Sequence, residues 1–281
     1  MHDILDGVRV VSLAVNLPGP LAASRLAEFG ASVSKIEPPT GDPLAVAAPG
    51  WYAELTDKQR VTVLDLKDTT DRAQLDAELT GADLLITAMR PSALRRLGLE
   101  NAHERYPGLS HVEIVGHDGK WEEVPGHDLT YQAAQGTLQP PMMPTVPVAD
   151  LLGAEHAVSA ALLALRHKAG SGTGRRIRVV LEEAAADAGA AVRHGLVGVG
   201  APLGGATPTY GIYSTADGYV ALGAIEPHFR SRVLEALGVA DTRDDLEQVF
   251  ASATSTHWEE LAERVDIPLI GIRNHTQGDA K

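Results

Sequence analysis

The run Val8-Arg9-Val10-Val11-Ser12-Leu13-Ala14, the break Pro18-Gly19-Pro20, a helical stretch over residues 20–29, the stop at Gly30 and the apolar Ser32–Glu37 decide the fold. Two β-rich apolar runs separated by one helix of this length read as a βαβ crossover between parallel strands. Working outward, residues 60–66, 83–89, 109–115 and 176–181 are further strand candidates, with helical segments between most of them. The alternation predicts an α/β protein with a mostly parallel, Rossmann-like sheet. A short helix is expected over 128–135. A long one is expected over 150–168, and its nearly all-round apolar circumference predicts burial.

Composition shifts at residues 195–208, which hold five Gly and two Pro without periodicity. This predicts a linker at 196–208 between a large α/β domain, 1–195, and a smaller α+β domain, 209–281. In the smaller domain, residues 210–215 and 219–224 flank Ala216-Asp217-Gly218 as a β-hairpin. Helices are expected near 228–237 and 256–265.

The 281 residues carry 24 Lys+Arg against 37 Asp+Glu, a net charge of −13 with His neutral. That balance argues against a nucleic-acid partner, which needs a basic footprint, but leaves room for a phosphorylated ligand held by a few cations. The absence of Cys excludes disulfides, thiolate metal sites and a Cys nucleophile. No uninterrupted apolar run approaches the length of a membrane span, so no membrane partner is expected. Met1-His2-Asp3-Ile4 has neither the basic nor the apolar region of a signal peptide, and the expectation is a cytoplasmic protein.

Several chemistries are excluded by pattern. The first βα turn, Asn16-Leu17-Pro18-Gly19-Pro20-Leu21, lacks the G-x-G-x-x-G of a dinucleotide site, although Glu37 ends the second strand as a ribose-binding acid would. Gly170-Ser171-Gly172-Thr173-Gly174 follows a helix and precedes a strand, the wrong context for a phosphate cradle. The His residues fall in no H-x-x-x-H or H-E-x-x-H spacing, so no metal site is expected, and no G-x-S-x-G elbow is present.

Asp150, His127 and Glu226 remain. Asp150 stands at the expected N-cap of the long helix, where a carboxylate accepts helix N–H bonds; position alone makes it a plain cap. The same helix start offers backbone N–H groups near residues 151–153 to an oxyanion. His127 follows Pro125-Gly126 and opens a helix beside Asp128, while Glu226 lies between a strand and a helix. Each has a structural reading when taken alone.

Taken in order, the segments resemble the family III CoA-transferases. The resemblance is carried by Leu5-Asp6-Gly7-Val8-Arg9-Val10-Val11-Ser12-Leu13, Leu17-Pro18-Gly19-Pro20 and Leu26-Ala27-Glu28-Phe29-Gly30-Ala31. Lys35-Ile36-Glu37-Pro38-Pro39 with Gly41-Asp42-Pro43, Val63-Leu64-Asp65-Leu66-Lys67, and Arg90-Pro91 with Arg96-Leu97-Gly98-Leu99 continue it. Gly126-His127-Asp128-Leu129-Thr130-Tyr131 resembles the motif of the family's racemase branch, the alpha-methylacyl-CoA racemases. The transferase branch more often has an aromatic residue in place of that His. Ala149-Asp150 resembles the catalytic Asp of both branches, and Gly223-Ala224-Ile225-Glu226-Pro227-His228-Phe229 resembles a racemase segment with a functional Glu.

The resemblance implies an enzyme that inverts the α-carbon of 2-methylacyl-CoA thioesters. Asp150 and His127 would serve as base and acid on opposite faces of the carbon, through an enolate. Glu226 would orient His127 from the same chain or from a partner subunit. The backbone of Val15, Asn16 and Leu17 would run along the pantetheine arm, and Lys35, Arg90 and Arg96 would meet the phosphates or adenine. Coenzyme A would enter as part of the substrate, with no prosthetic group. The alternative is a CoA-transferase with Asp150 as nucleophile. The family's interlocked dimer implies a homodimer.

The chain stops at Lys281, sooner than is usual in the family, the segment 116–126 lacks the Gly-rich approach to the His, and 135–149 looks shortened. A partner-dependent or non-catalytic subunit pairing with a longer relative is therefore a further alternative.

Overall fold

The computed structural model describes residues 3–273. The chain divides into two compact units between Gly189 and Ala190. The first is a three-layer α/β unit. Its sheet consists of β1 (Arg9–Ser12), β2 (Ser32–Glu37), β3 (Gln59–Val63), β4 (Leu84–Thr87), β5 (Ser110–Val115) and β6 (Arg176–Val180). All neighbours pair in parallel, in the order β3-β2-β1-β4-β5-β6. The chain starts at β1, builds outward to β3, then returns to the other side of β1 with β4. The strand order therefore reverses beside β1, and a crevice opens there at the carboxyl ends of the strands.

Helices of this unit are α1 (Pro18–Glu28), α2 (Pro43–Ala47), α3 (Pro49–Thr56), α4 (Thr69–Gly81), α5 (Pro91–Arg96), α6 (Ala102–Arg105), α7 (Asp128–Ala134), α8 (Val148–Ser171) and α9 (Leu181–Ala188). Alternate strand residues feed two cores. Val10, Leu84, Ile86, Val112 and Ile114 face α1, α8 and α9; Val11, Ile36 and Leu85 face Leu75 and Leu79 of α4 and Leu94 of α5. Burial on both faces is why these strands read as continuous apolar runs.

Two expectations change here. α1 starts at Pro18, two residues earlier than expected, because Pro fits the first turn, where no intrahelical N–H donor is required. α8 is long and apolar enough by length and composition to cross a membrane, but it is a core helix with one buried face. That face is small, with Ala149, Gly153, Ala154, Ala157, Ala160, Ala161 and Ala164, whereas Leu162 and Leu163 are exposed. All-round burial, expected from apolar character, does not occur because close helix packing selects side-chain size.

The second unit holds α10 (Ala190–Arg193), β7 (Tyr210–Ser214), β8 (Tyr219–Gly223), α11 (Pro227–Leu237), α12 (Arg243–Ala251), α13 (Ser255–Val265) and β9 (Leu269–Gly271). Its sheet is antiparallel in the order β7-β8-β9. One sheet face packs Tyr213, Val220 and Leu222 on Val233, Leu246, Phe250 and Trp258 of the helices. The Trp258 indole N–H donates to the Phe250 carbonyl at 2.9 Å, which satisfies its only polar atom inside that core. The chain is thus an α/β unit with a parallel sheet and a smaller α+β unit. The glycine-rich stretch folds back on itself through Leu203 N–H to Leu196 O, 3.0 Å, and Gly200 N–H to Gly204 O, 3.0 Å.

Candidate active site

A cleft of about 320 Å³ opens at the carboxyl ends of β1, β4 and β5. Val15 and Asn16 after β1, Met89 and Arg90 after β4, and Gly116 after β5 line it, together with His127 and Tyr131 of the α7 region and Asp150 of α8. An apolar cavity of about 490 Å³ beside it shares Val15, Ala88 and Met89 and extends to Pro38, Pro39, Leu64 and Leu66.

Asp150 is not the N-cap of its helix. α8 begins at Val148, with Pro147 at the cap position and no capping side chain of its own. The cap comes from Asp128, whose Oδ1 accepts from the N–H groups of Ala149 (2.8 Å) and Asp150 (3.2 Å). Asp128 Oδ2 accepts from Gln132 Nε2 at 2.6 Å, and Gln132 Nε2 also donates to Val146 O at 3.0 Å. One carboxylate thus ties the start of α7 to the start of α8. The Asp150 side chain sits in the first turn, half-buried, and accepts no hydrogen bond from a described residue. Burial pushes its pKa up to about 6, with the Asp128 charge as second cause. These effects overcome the helix dipole, which works in the opposite direction.

The N–H groups expected to meet an oxyanion are also engaged. Val148 N–H donates to Val146 O (2.9 Å) and Leu151 N–H to Pro147 O (3.0 Å), while residues 152 and 153 lie within the helical ladder. At the start of α7, by contrast, the Asp128 and Leu129 N–H groups have no partner among the described residues.

His127 is the N-cap of α7 in extended conformation, φ −140° and ψ 164°. The Thr130 hydroxyl accepts from its N–H at 3.0 Å and donates to its carbonyl at 2.8 Å, which fixes the backbone and leaves the exposed imidazole at the cleft. His127 and Asp150 therefore line one cleft from two helix starts that Asp128 joins.

Tyr131 was not anticipated from sequence. Its ring is buried and its hydroxyl reaches the cleft between Gly116 and Gly126. A Cβ at Gly116 would stand 2.3 Å from the Tyr131 oxygen and one at Gly126 2.5 Å, so neither position tolerates a side chain. Burial pushes the phenol to about 12, with the Asp150 charge adding to it. Two glycines bracketing the approach to His127 are the signal that could have pointed to it.

The remaining expected residues divide. Val15, Asn16 and Arg90 line the cleft, and Arg90 is exposed. Leu17 is buried at the start of α1 and does not line it. Arg96 is exposed at the end of α5, outside the cleft. Lys35 departs most from its expected role as a phosphate ligand. It is fully enclosed, with Nζ 2.8 Å from Asp42 Oδ2, 3.1 Å from Glu37 Oε1 and 3.1 Å from Ala14 O. Asp42 Oδ1 in turn accepts from Asn16 N–H at 2.9 Å and holds that residue at φ 68°. Lys35 therefore shapes the cleft wall through Asp42 and Asn16, from behind. Glu226 lies in the second unit, exposed, as the N-cap of α11. Among the described residues no group of three or more His, Asp or Glu could hold a metal ion.

Comparison with known proteins agrees with this architecture. The chain is 29% identical to alpha-methylacyl-CoA racemase from Mus musculus, over 93% of this chain and 70% of that protein. It is also 29% identical to cinnamoyl-CoA:phenyllactate CoA-transferase from Clostridium sporogenes, over 95% of this chain and 77% of the relative. A crystal structure of a hypothetical protein from Mycobacterium tuberculosis superposes with a TM-score of 0.85 at 23% identity, covering 99% of this chain and 87% of that one. Residues 5–277 match the sequence profile of CoA-transferase family III, and the chain belongs to that family.

Proposed function

We propose that the protein is an acyl-CoA racemase that inverts the α-carbon of 2-methylacyl-CoA thioesters, with coenzyme A as part of the substrate and no prosthetic group. The observation that carries this reading is the placement of His127 and Asp150 on one cleft. Inversion needs a group that removes the α-proton from one face and a second that returns a proton to the other. An Asp poised at about 6 suits the first task near neutral pH, and an exposed imidazole suits the second. In the reverse direction the roles exchange. The start of α8 offers no free N–H group to the enolate oxygen, because its first donors are taken by Asp128 and by Val146 and Pro147. The apolar cavity beside the cleft and Arg90 give room and charge for parts of the coenzyme.

The transferase reading is favoured by a different observation: relatives of equal identity bear CoA-transferase names. In it, the ionised Asp150 attacks the thioester carbonyl, CoA leaves as thiolate and a mixed anhydride forms on the Asp. This chemistry gives His127 no evident task.

Incubation with a 2-methylacyl-CoA in deuterated water separates the two. The racemase reading expects label at the α-carbon with epimerisation, reduced by about 10²–10⁴-fold in Asp150→Asn and in His127→Ala. No label, with an acyl group trapped on Asp150, assigns the protein to transfer instead.

A further inference from the structure

Residues 116–127 connect β5 to α7 and end on His127. Apart from one turn at Gly119–Trp121 the segment has no regular structure. The bonds Glu122 N–H to Gly119 O and Val124 N–H to Trp121 O are internal to it, so they do not fix its place on the sheet. Its outer end is held from α5, where the Ser92 N–H and hydroxyl each donate to Glu123 at 2.8 Å and Arg95 donates to it at 3.2 Å, while side chains from the junction of β6 and α9 hold its inner part against the sheet. The Arg178 guanidinium donates to Asp118, to Glu122 Oε2 at 3.0 Å and to Glu113 Oε2 at 3.2 Å. Glu113 belongs to β5, is fully enclosed and also pairs with Arg176, so it anchors the guanidinium to the sheet. Four residues beyond Arg178, Glu182 Oε2 lies 2.6 Å from His117 Nδ1, and the Glu182 N–H donates to Gly116 O at 3.1 Å. The His117 ring meets Tyr131 edge-on, with centroids 5.3 Å apart. The charges alternate in register: the cation at 178 grips the acids at 118 and 122, and the acid at 182 grips the imidazole at 117.

We propose that Arg178 and Glu182 are positioning residues, which hold the segment 116–127 from the β6–α9 junction and thereby set where His127 stands relative to Asp150. The proposal rests on the assignment of His127 to proton transfer. A displacement of about 1 Å at such a group costs up to about 10²-fold in rate, so a clamp remote from the reacting carbon acts on turnover more than on binding.

The test uses the full chain and Asp118→Asn with Glu122→Gln, which frees the segment from Arg178 without stranding the enclosed Glu113. Arg178→Met and Arg178→Lys accompany it. Backbone hydrogen exchange is read over 116–127, with kcat and KM for α-proton exchange from 2-methylacyl-CoA. The clamp expects exchange about tenfold faster in that segment of the double variant, kcat down by about tenfold with KM within about twofold, and partial rescue in Arg178→Lys relative to Arg178→Met. Unchanged hydrogen exchange overturns it. Faster hydrogen exchange with unchanged kcat also overturns it, because the segment would then be held without positioning the His. Should the wild-type chain prove inactive on the thioester, the racemase reading fails by itself. The clamp is then judged on the hydrogen exchange together with the His127 imidazole resonance, which must move in the double variant.

Discussion

Two groups of carboxylates, one enclosed and one half-buried, lie within one sheet's reach and behave in opposite ways. Behind the cleft, Asp42 and Glu37 close around the Lys35 ammonium, and the Tyr52 hydroxyl donates to Glu37 at 2.8 Å. Burial and the neighbouring Glu37 push Tyr52 up to about 12, so it stays a donor across the physiological range. At the cleft, Asp150 forms no ion pair among the described residues, and the charge that acts on it most is a second carboxylate, Asp128. The first arrangement neutralises charge and holds backbone in place, Asn16 included. The second leaves a carboxyl that can exchange a proton near neutral pH. Burial is common to both; the presence or absence of a counter-cation separates scaffold from chemistry.

The widest effect should come from breaking the neutral side. Lys35→Met strands Asp42 and Glu37 inside the protein and should lower stability by about 3–5 kcal/mol, read from the denaturant midpoint at constant slope. A loss below about 1 kcal/mol would mean that the cation was not compensating those acids. On the uncompensated side the sign reverses. The folded pKa of Asp150, about 6, is above its unfolded value. Its contribution to stability is therefore full below pH of about 4 and is lost as pH rises through 6. Asp150→Asn should accordingly be more stable than wild type at pH 8, by on the order of 2 kcal/mol, with the difference gone at pH 4. Equal stability at pH 8 would place the carboxyl in a better-solvated site than the structure gives it.

The smallest effect sharpens the comparison most. Asp128→Asn keeps the oxygen that caps α8 but removes the like charge beside Asp150. The Asp150 pKa should fall below about 6 yet stay above the ordinary carboxylate range, because burial, the larger cause, is untouched. The acid limb of the pH–rate profile should move down accordingly. Asp128→Ala should add a stability loss of about 1 kcal/mol for the missing cap. An acid limb that stays in place in Asp128→Asn would remove Asp128 from the electrostatics and leave it only the capping role.

The strands of the parallel sheet are legible in sequence because burial on both faces leaves apolar runs such as Val8 to Leu13, and the helix between β1 and β2 is bounded by Pro and Gly. His127 and Asp150 are legible through the ordered motifs around them. The start of α8 is not: its cap comes from Asp128, more than twenty residues upstream, and Pro147-Val148-Ala149 reads locally as extended chain. The burial of Lys35 is equally hidden, since a Lys near a strand end looks like a ligand-binding cation until the turn carrying Asp42 folds back over it. α12 and the three-residue β9 escape for simpler reasons. α12 is mostly polar, with only Leu246 and Phe250 fully inside, and β9 is too short to show a period.

The order of the sheet leaves β3 and β6 as its edges, and each presents a row of backbone donors and acceptors to any strand that comes alongside. Both edges carry arginine: Arg60 on β3, Arg176 and Arg178 on β6. Each of these guanidinium groups is already ion-paired within the chain, Arg60 to Glu78 and Arg176 and Arg178 to Glu113, so a second copy coming edge to edge would meet charged, paired side chains rather than an apolar strand. Replacing Arg178 with an apolar side chain would remove one of those charges from beside Ile177 to Val180 and leave that β-rich edge more prone to self-association.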